Sequence, residues 1–332
     1  MKRDISLDAL CGLFIIQMIL QHAFQWADAC DDTFYVTMGS LLYCFMPWFF
    51  FKSGMYYKEN PLEDVVKHGL RRFMIPFIVY SFVGHILYCW NMYANTGDTN
   101  WAHYVVTPIK WALITGSFTG NLPLWFLLSL FLVKLMIGLA DRYKVPKSII
   151  LLGSLLVAGG GTICVSNSQH VIYWVFSSSL GLFFYLSGYY LRELQYNNIW
   201  VKMLGLAVAL LVIFVFPSNV DLHTDMTFKG YWIAYVIGSL GTIIVLNNIF
   251  RWRLLQMPLL TSVGKNSMDY YCAHWILFYA VLTVYDFPRN GLPDYDKFWT
   301  IIIACIIFLP IYSYVIKVVL TSFKNEKTSF PR

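Results

Sequence analysis

A chain of 332 residues that is 58% hydrophobic and only 13% charged is too apolar for a soluble globular protein and reads as a polytopic membrane protein. The net charge of +6 points to no nucleic-acid partner, because the basic residues segregate by loop instead of gathering in one segment. Seven cysteines, mostly inside apolar stretches and without paired spacing, read as small fillers and not as a disulfide framework or a metal site.

Apolar windows over 6–26, 36–57, 72–93, 122–140, 148–165, 171–191, 200–216, 230–249, 261–284 and 298–320 predict an all-α bundle of about ten transmembrane helices. No stretch reads as an extra domain, so 1–332 is taken as one unit. Eighteen Lys and Arg then fall on one side, against Lys110, Lys229, Arg289 and Lys297 on the other, which predicts that both termini are cytoplasmic. Asp28, Asp31, Asp32, Asp286, Asp294 and Asp296 lean outward. A cleavable signal peptide is the competing reading of the first window, but the apolar core is too long and Gln17, Gln21 and His22 interrupt it.

In that window Asp8 and His22 are fourteen residues apart, about 21 Å at the helical rise, which is most of the apolar thickness. An ionisable group at such a depth usually faces the protein interior or a water-filled cavity, so His22 is a functional-site candidate. A single packing hydrogen bond is the plainer role. The second window carries Pro47, tolerable where a neighbour satisfies the freed carbonyl, and Lys52, near enough to the inner end to snorkel. Arg71 and Arg72 open the third window in "HGLRRFMIPFIVY"; paired arginines there are headgroup anchors or a bidentate fork for phosphate.

From Asn95 to Gly120 the residues Trp101, His103, Tyr104, Trp111 and Phe118, with few charges, suggest an interfacial stretch on the outer side. The fourth window starts "NLPLWFLLSLFLVKL", with Trp125 at the outer interface and Lys134 close enough to the inner end to snorkel. The segment "FFYLSGYYLRE" at 183–193 matches "FFFKSGMYYKE" at 49–59 in six of eleven positions. Recurring interface chemistry, with Ser-Gly allowing close helix packing, accounts for this better than a duplication. The outer loop 217–230 holds Asp221, His223 and Asp225 without ligand spacing. The ninth window, "LLTSVGKNSMDYYCAHWILFYAV", puts Lys265 and Ser267 at its inner end and Asp269 in the first turn, where the helix dipole favours an acid. His274 lies deeper, as a packing or a substrate-facing histidine.

The run "LDALCGLFIIQMILQH" resembles the first helix of the membrane-embedded acyltransferase family 3, L-D-x-L-R-G followed by an apolar run and His. Asp8, Gly12 and His22 match, while Cys11 stands where that family has Arg. Arg71 to Pro76, Pro123 to Leu127 and Gly264 to His274 are similar to three further elements of the family. The resemblance implies O-acylation, most often O-acetylation, in a cell membrane. The acyl group passes from cytoplasmic acyl-CoA to a hydroxyl of an extracytoplasmic carbohydrate or glycolipid, with no metal and with a homo-oligomer allowed. It implies His22 as general base or transient acyl carrier, and Arg71, Arg72 and Lys265 as donor anchors; Lys52, at a depth comparable to Cys11, is read as a fourth. Lys52 is expected to supply the charge that Cys11 lacks. Asp8, Trp125, Ser267, Asp269 and His274 complete the candidate set. A solute or glycan transporter and an inactive family member are the alternatives.

Overall fold

The computed structural model describes residues 3–97, 100, 102–166, 172–223, 226–284 and 292–329, and the chain is almost wholly helical. Helix α1, Ile5–Trp26, is started by Asp4, whose carboxylate accepts from the N–H groups of Ser6 and Leu7. The single helix expected over 36–57 is two, α2 (Thr33–Leu41) and α3 (Phe45–Met55). Pro47 explains the break: with no N–H to donate, it fits in the first turn of α3 and not in mid-helix. The Gln17 side-chain amide donates to the Leu42 carbonyl at 3.1 Å, so a neighbouring helix does satisfy the interrupted backbone.

Helix α4 (Leu62–Gly69) runs through one π-helical turn, Leu70–Met74, into α5 (Ile75–Thr96). Pro76 offers no N–H to the carbonyl four residues back, and the widened turn carries both Arg71 and Arg72. Taking the start of α1 as the inner end of the bundle, a second π-turn, Ala102–Val106, α6 (Thr107–Thr115) and a 3-10 segment, Thr119–Leu124, lie toward the opposite, outer end before α7 (Trp125–Arg142). Then come α8 (Lys147–Ser166), α9 (Tyr173–Leu191), the short α10 (Leu194–Asn197) and α11 (Ile199–Phe214). The outer loop at 217–230 forms an antiparallel hairpin of β1 (Asn219–Asp221) and β2 (Met226–Lys229). Helices α12 (Trp232–Ile249), α13 (Pro258–Lys265), α14 (Ser267–Val284) and α15 (Tyr295–Ser329) complete the bundle.

Among the described residues seven helical stretches are long and apolar enough to cross a membrane, which does not establish the expected ten. Helix α11 is too short to count. Helix α9 is long enough but diluted by Ser, Gly and Tyr, a composition it can carry because Ser177 to Gly188 are all buried inside the bundle and away from lipid.

Two close crossings set the inner half. A Cβ on Gly12 would lie 2.0 Å from the Leu260 carbonyl oxygen, and one on Gly264 would lie 1.8 Å from that of Asp8, so α1 and α13 touch backbone to backbone. The matching Ser-Gly pairs of α3 and α9 do the same to each other: a Cβ on Gly54 would meet the Tyr185 carbonyl oxygen at 1.7 Å, and one on Gly188 would meet that of Phe51 at 2.0 Å. The two look-alike segments are partners in one interface, which gives their similarity a packing reason. Of the residues singled out above, Trp101, Asp225, Asp286 and Arg289 lie outside the described residues.

Candidate active site

Helix α1 presents Cys11, Ile15, Met18 and His22 on one face, since eleven residues make about three turns at 3.6 residues each. At the outer end of that face His22 meets α14. Its Nδ1 is 3.0 Å from Nε2 of His274, with the ring planes only 9° apart. The centroids are 5.2 Å apart, so the rings meet edge to edge in nearly one plane. His274 is fully buried, and its Nδ1 donates to the Tyr271 carbonyl at 2.8 Å. The indole of Trp275 stands edge-on to His22, with centroids 5.0 Å apart, and Trp26 closes on Trp275 in the same way.

The turn of α14 that carries His274 is held by the 3-10 segment. The Asn121 side-chain amide donates to the Cys272 carbonyl at 3.1 Å, and the Tyr271 hydroxyl donates to the Pro123 carbonyl. Tyr279 reaches the Thr119 carbonyl at 3.3 Å. The Pro123–Leu127 element thus positions a histidine instead of offering an open platform. Trp125 itself is 7% exposed, and the His223 imidazole lies parallel to it, 12° apart in plane with centroids at 5.3 Å. One face of this candidate indole is therefore covered.

On the inner side a cavity of about 830 Å³ opens among α1, α3, α4, α7 and α14. Cys11, Lys52, Arg71, Arg72 and Ser267 all line it, together with Lys134, whose place near the end of an apolar helix predicts snorkelling instead. Among the described residues the ion pairs are Arg3–Asp8 and Lys147–Asp141, so Lys52, Arg71, Arg72 and Lys134 face the cavity without a carboxylate partner. The Lys52 ammonium lies over the Trp48 ring at 4.9 Å and donates to the Leu7 carbonyl at 3.4 Å, beside the Cys11 turn of α1. The Trp48 indole N–H is fixed by Asn247, which is held in turn by Gln195.

At the mouth Asp141 is bound by Lys147 at 2.7 Å and by the Tyr57 hydroxyl at 2.5 Å. Burial, then the adjacent carboxylate, pushes the Tyr57 hydroxyl well above its ordinary range. The closed end of the cavity, toward His22, is formed by Ile15, Phe126 and Tyr271. His22 is not among its walls; Met18, 2% exposed, lies between Ile15 and His22 on the same face of α1.

The remaining candidates lie apart. Asp8 is buried and paired with Arg3 at 2.6 Å, outside the cavity. Lys265, at the end of α13, is exposed and also outside it. The helix breaks at Asn266, so the expected opening of one helix over Gly264–Ser267 becomes a kink that turns Lys265 away from Ser267. The Asp269 carboxylate accepts from the Ser313 hydroxyl at 2.6 Å and ties α14 to α15. Two roles were missed in the sequence. Asn121 bears no charge to mark it, while Lys134, a lysine in an apolar helix, was a visible signal.

A family model described as an acyltransferase domain matches residues 4–317, nearly the whole chain. The protein belongs to that family. No curated protein and no solved structure matches it. Family membership and the fold together make the protein a membrane acyltransferase.

Proposed function

We propose that the protein moves an acyl group, acetyl in the simplest case, from cytoplasmic acyl-CoA to a hydroxyl of a carbohydrate or glycolipid on the outer side. The observation that carries this reading is the α1 face: one end borders a cavity of unpaired cations and the other carries a histidine held by a second histidine. Cations without carboxylate partners favour a ligand rich in phosphate, and Arg71 and Arg72 offer planar forks suited to it. Lys52 supports the idea that α3 provides the charge that Cys11 does not, because both residues line one cavity.

In the direct route the acceptor hydroxyl gives its proton to His22 while its oxygen bonds to the thioester carbonyl carbon. The C–S bond then breaks, its electron pair leaves on sulfur, and the thiolate takes the proton from His22. In the carrier route the His22 lone pair attacks first and the thiolate leaves; the acceptor oxygen later displaces the imidazole, its proton goes to the freed imidazole nitrogen, and the thiolate takes that proton. Trapping an acylated His22 after mixing with donor alone selects the second route.

The decisive experiment exposes membrane vesicles to labelled acetyl-CoA, with wild type and His22→Ala compared. Label appearing on glycan in wild type and lost in the variant is the expected result. Solute flux without transfer would select a transporter. No transfer by wild type would select an inactive member of the family, the alternative raised by Cys11.

A further inference from the structure

The hydrogens of the histidine pair follow from its partners. A carbonyl oxygen only accepts, so His274 Nδ1, 2.8 Å from the Tyr271 carbonyl, carries a hydrogen. A neutral imidazole has one N–H, which leaves His274 Nε2 as an acceptor. His22 Nδ1, 3.0 Å away, is then the donor. With the planes 9° apart, that N–H points along the lone pair of its partner. An imidazolium at His274 is disfavoured by cost, because the ring is fully buried and the Asp269 carboxylate on the same helix is bound to Ser313.

We propose that His274 is the positioning residue of the acyl-transfer site: by holding the Nδ1 hydrogen of His22 it leaves His22 Nε2 as the reacting nitrogen. This rests on the acyl-transfer reading above. His22 by itself would exchange its hydrogen between two nitrogens and rotate about its side chain. The bond to His274 removes both freedoms, and the Asn121 and Tyr271 contacts to the chain before α7 fix His274 in turn. In the direct route the acceptor proton goes to Nε2, and the positive charge that develops on His22 is met by the Nδ1–H bond to His274. That proton then passes from Nε2 to the leaving sulfur, so the Nδ1 hydrogen never leaves. The arrangement does for imidazole what a carboxylate does in a Ser-His-Asp triad, without placing a charge in the bilayer.

The test compares three substitutions in purified protein reconstituted into nanodiscs. His274→Gln puts an amide oxygen near the position of Nε2 and keeps an acceptor; His274→Asn is too short, and His274→Leu has none. The Gln variant is expected to keep kcat within about tenfold of wild type, while Asn and Leu lose about a hundredfold or more. Donor Kd stays unchanged in all three. Nitrogen-15 spectra of histidine-labelled wild type, with the His22 signals assigned by their loss in His22→Ala, are expected to show hydrogen on Nδ1 and none on Nε2. A wild-type signal with hydrogen on Nε2, or equal loss of kcat in the Gln and Leu variants, overturns the proposal. An Nδ1–H signal in a wild-type protein that transfers no label overturns the acyl-transfer reading and leaves the tautomer assignment standing.

Discussion

Lys134 is the residue whose meaning changed most between chain and fold, and it joins Lys52, already expected among the donor anchors. Each sits near the inner end of an apolar helix, where a long side chain can reach water, so a snorkelling role cost nothing to assume. Both face one cavity with Arg71 and Arg72, as expected of Lys52 and not of Lys134, which also lies over the Tyr185 ring at 5.6 Å. A charge-assisted hydrogen bond to a phosphate contributes about 1.5–3 kcal/mol, so Lys52→Met and Lys134→Met are each expected to raise the KM for acyl-CoA by about tenfold or more. Lys265→Met is the contrast: it is exposed and outside the cavity, and its KM is expected to match wild type. Steady-state kinetics on the three variants checks this, and an equal effect at all three would point to a general field and not a bound anion.

The crossing glycines and the caps decide whether the helices can take these positions at all. Gly188 on α9 meets the backbone of α3, while Gly153 on α8 has nothing within 4 Å of an added Cβ. Gly188→Ala must push two helices apart and is expected to cost about 1–3 kcal/mol, seen as a lower Tm in detergent. Gly153→Ala is expected to leave Tm unchanged or slightly raised, because it adds helix propensity without a clash.

At the outer ends, Asp32 is held below its ordinary carboxylate range, first by the Phe34 N–H and then by the Tyr295 hydroxyl, and so links α2 to α15. A depressed folded value means that this contribution is present above the unfolded value of about 3.9 and is lost as pH falls through the folded one. Hydrogen exchange at the Phe34 amide, corrected for intrinsic rate, is expected to accelerate on acidification in wild type. Asp32→Asn is expected to lack that dependence.

For the whole molecule the question is how a donor in the inner cavity meets a histidine beyond its end. The cavity stops at Ile15, Phe126 and Tyr271, and Met18 is the next residue outward on the face of α1 that bears His22. Methionine is unbranched with several rotatable bonds, the side chain best able to swing aside within a packed interior. Met18→Trp is expected to leave donor Kd near wild type and to lower kcat by about a hundredfold, whereas Met18→Leu keeps both within about threefold. Equilibrium binding of labelled acyl-CoA beside the transfer assay, with Tm recorded for each variant, separates a blocked passage from a misfolded protein.

Composition and hydrophobic run length determined by themselves that this is a helical membrane protein, because a bilayer admits few backbone solutions and selects strongly for apolar stretches. The motif residues Asp8, Gly12, His22, Arg71, Arg72 and His274 were also legible, since ionisable groups and glycines stand out in apolar helices. Their contacts were not. The chain could not tell that Gly12 and Gly264 are a crossing, that Asp8 answers Arg3, that Asp269 answers Ser313, or that Trp125 is covered by His223. Apart from the Arg3–Asp8 pair, which closes over five positions at the start of α1, those are contacts between residues tens to hundreds of positions apart, and spacing along one helix carries no record of them. The meeting of His22 with His274 belongs to the same class: 252 residues separate them in sequence, and only the packing of α1 against α14 makes them a pair.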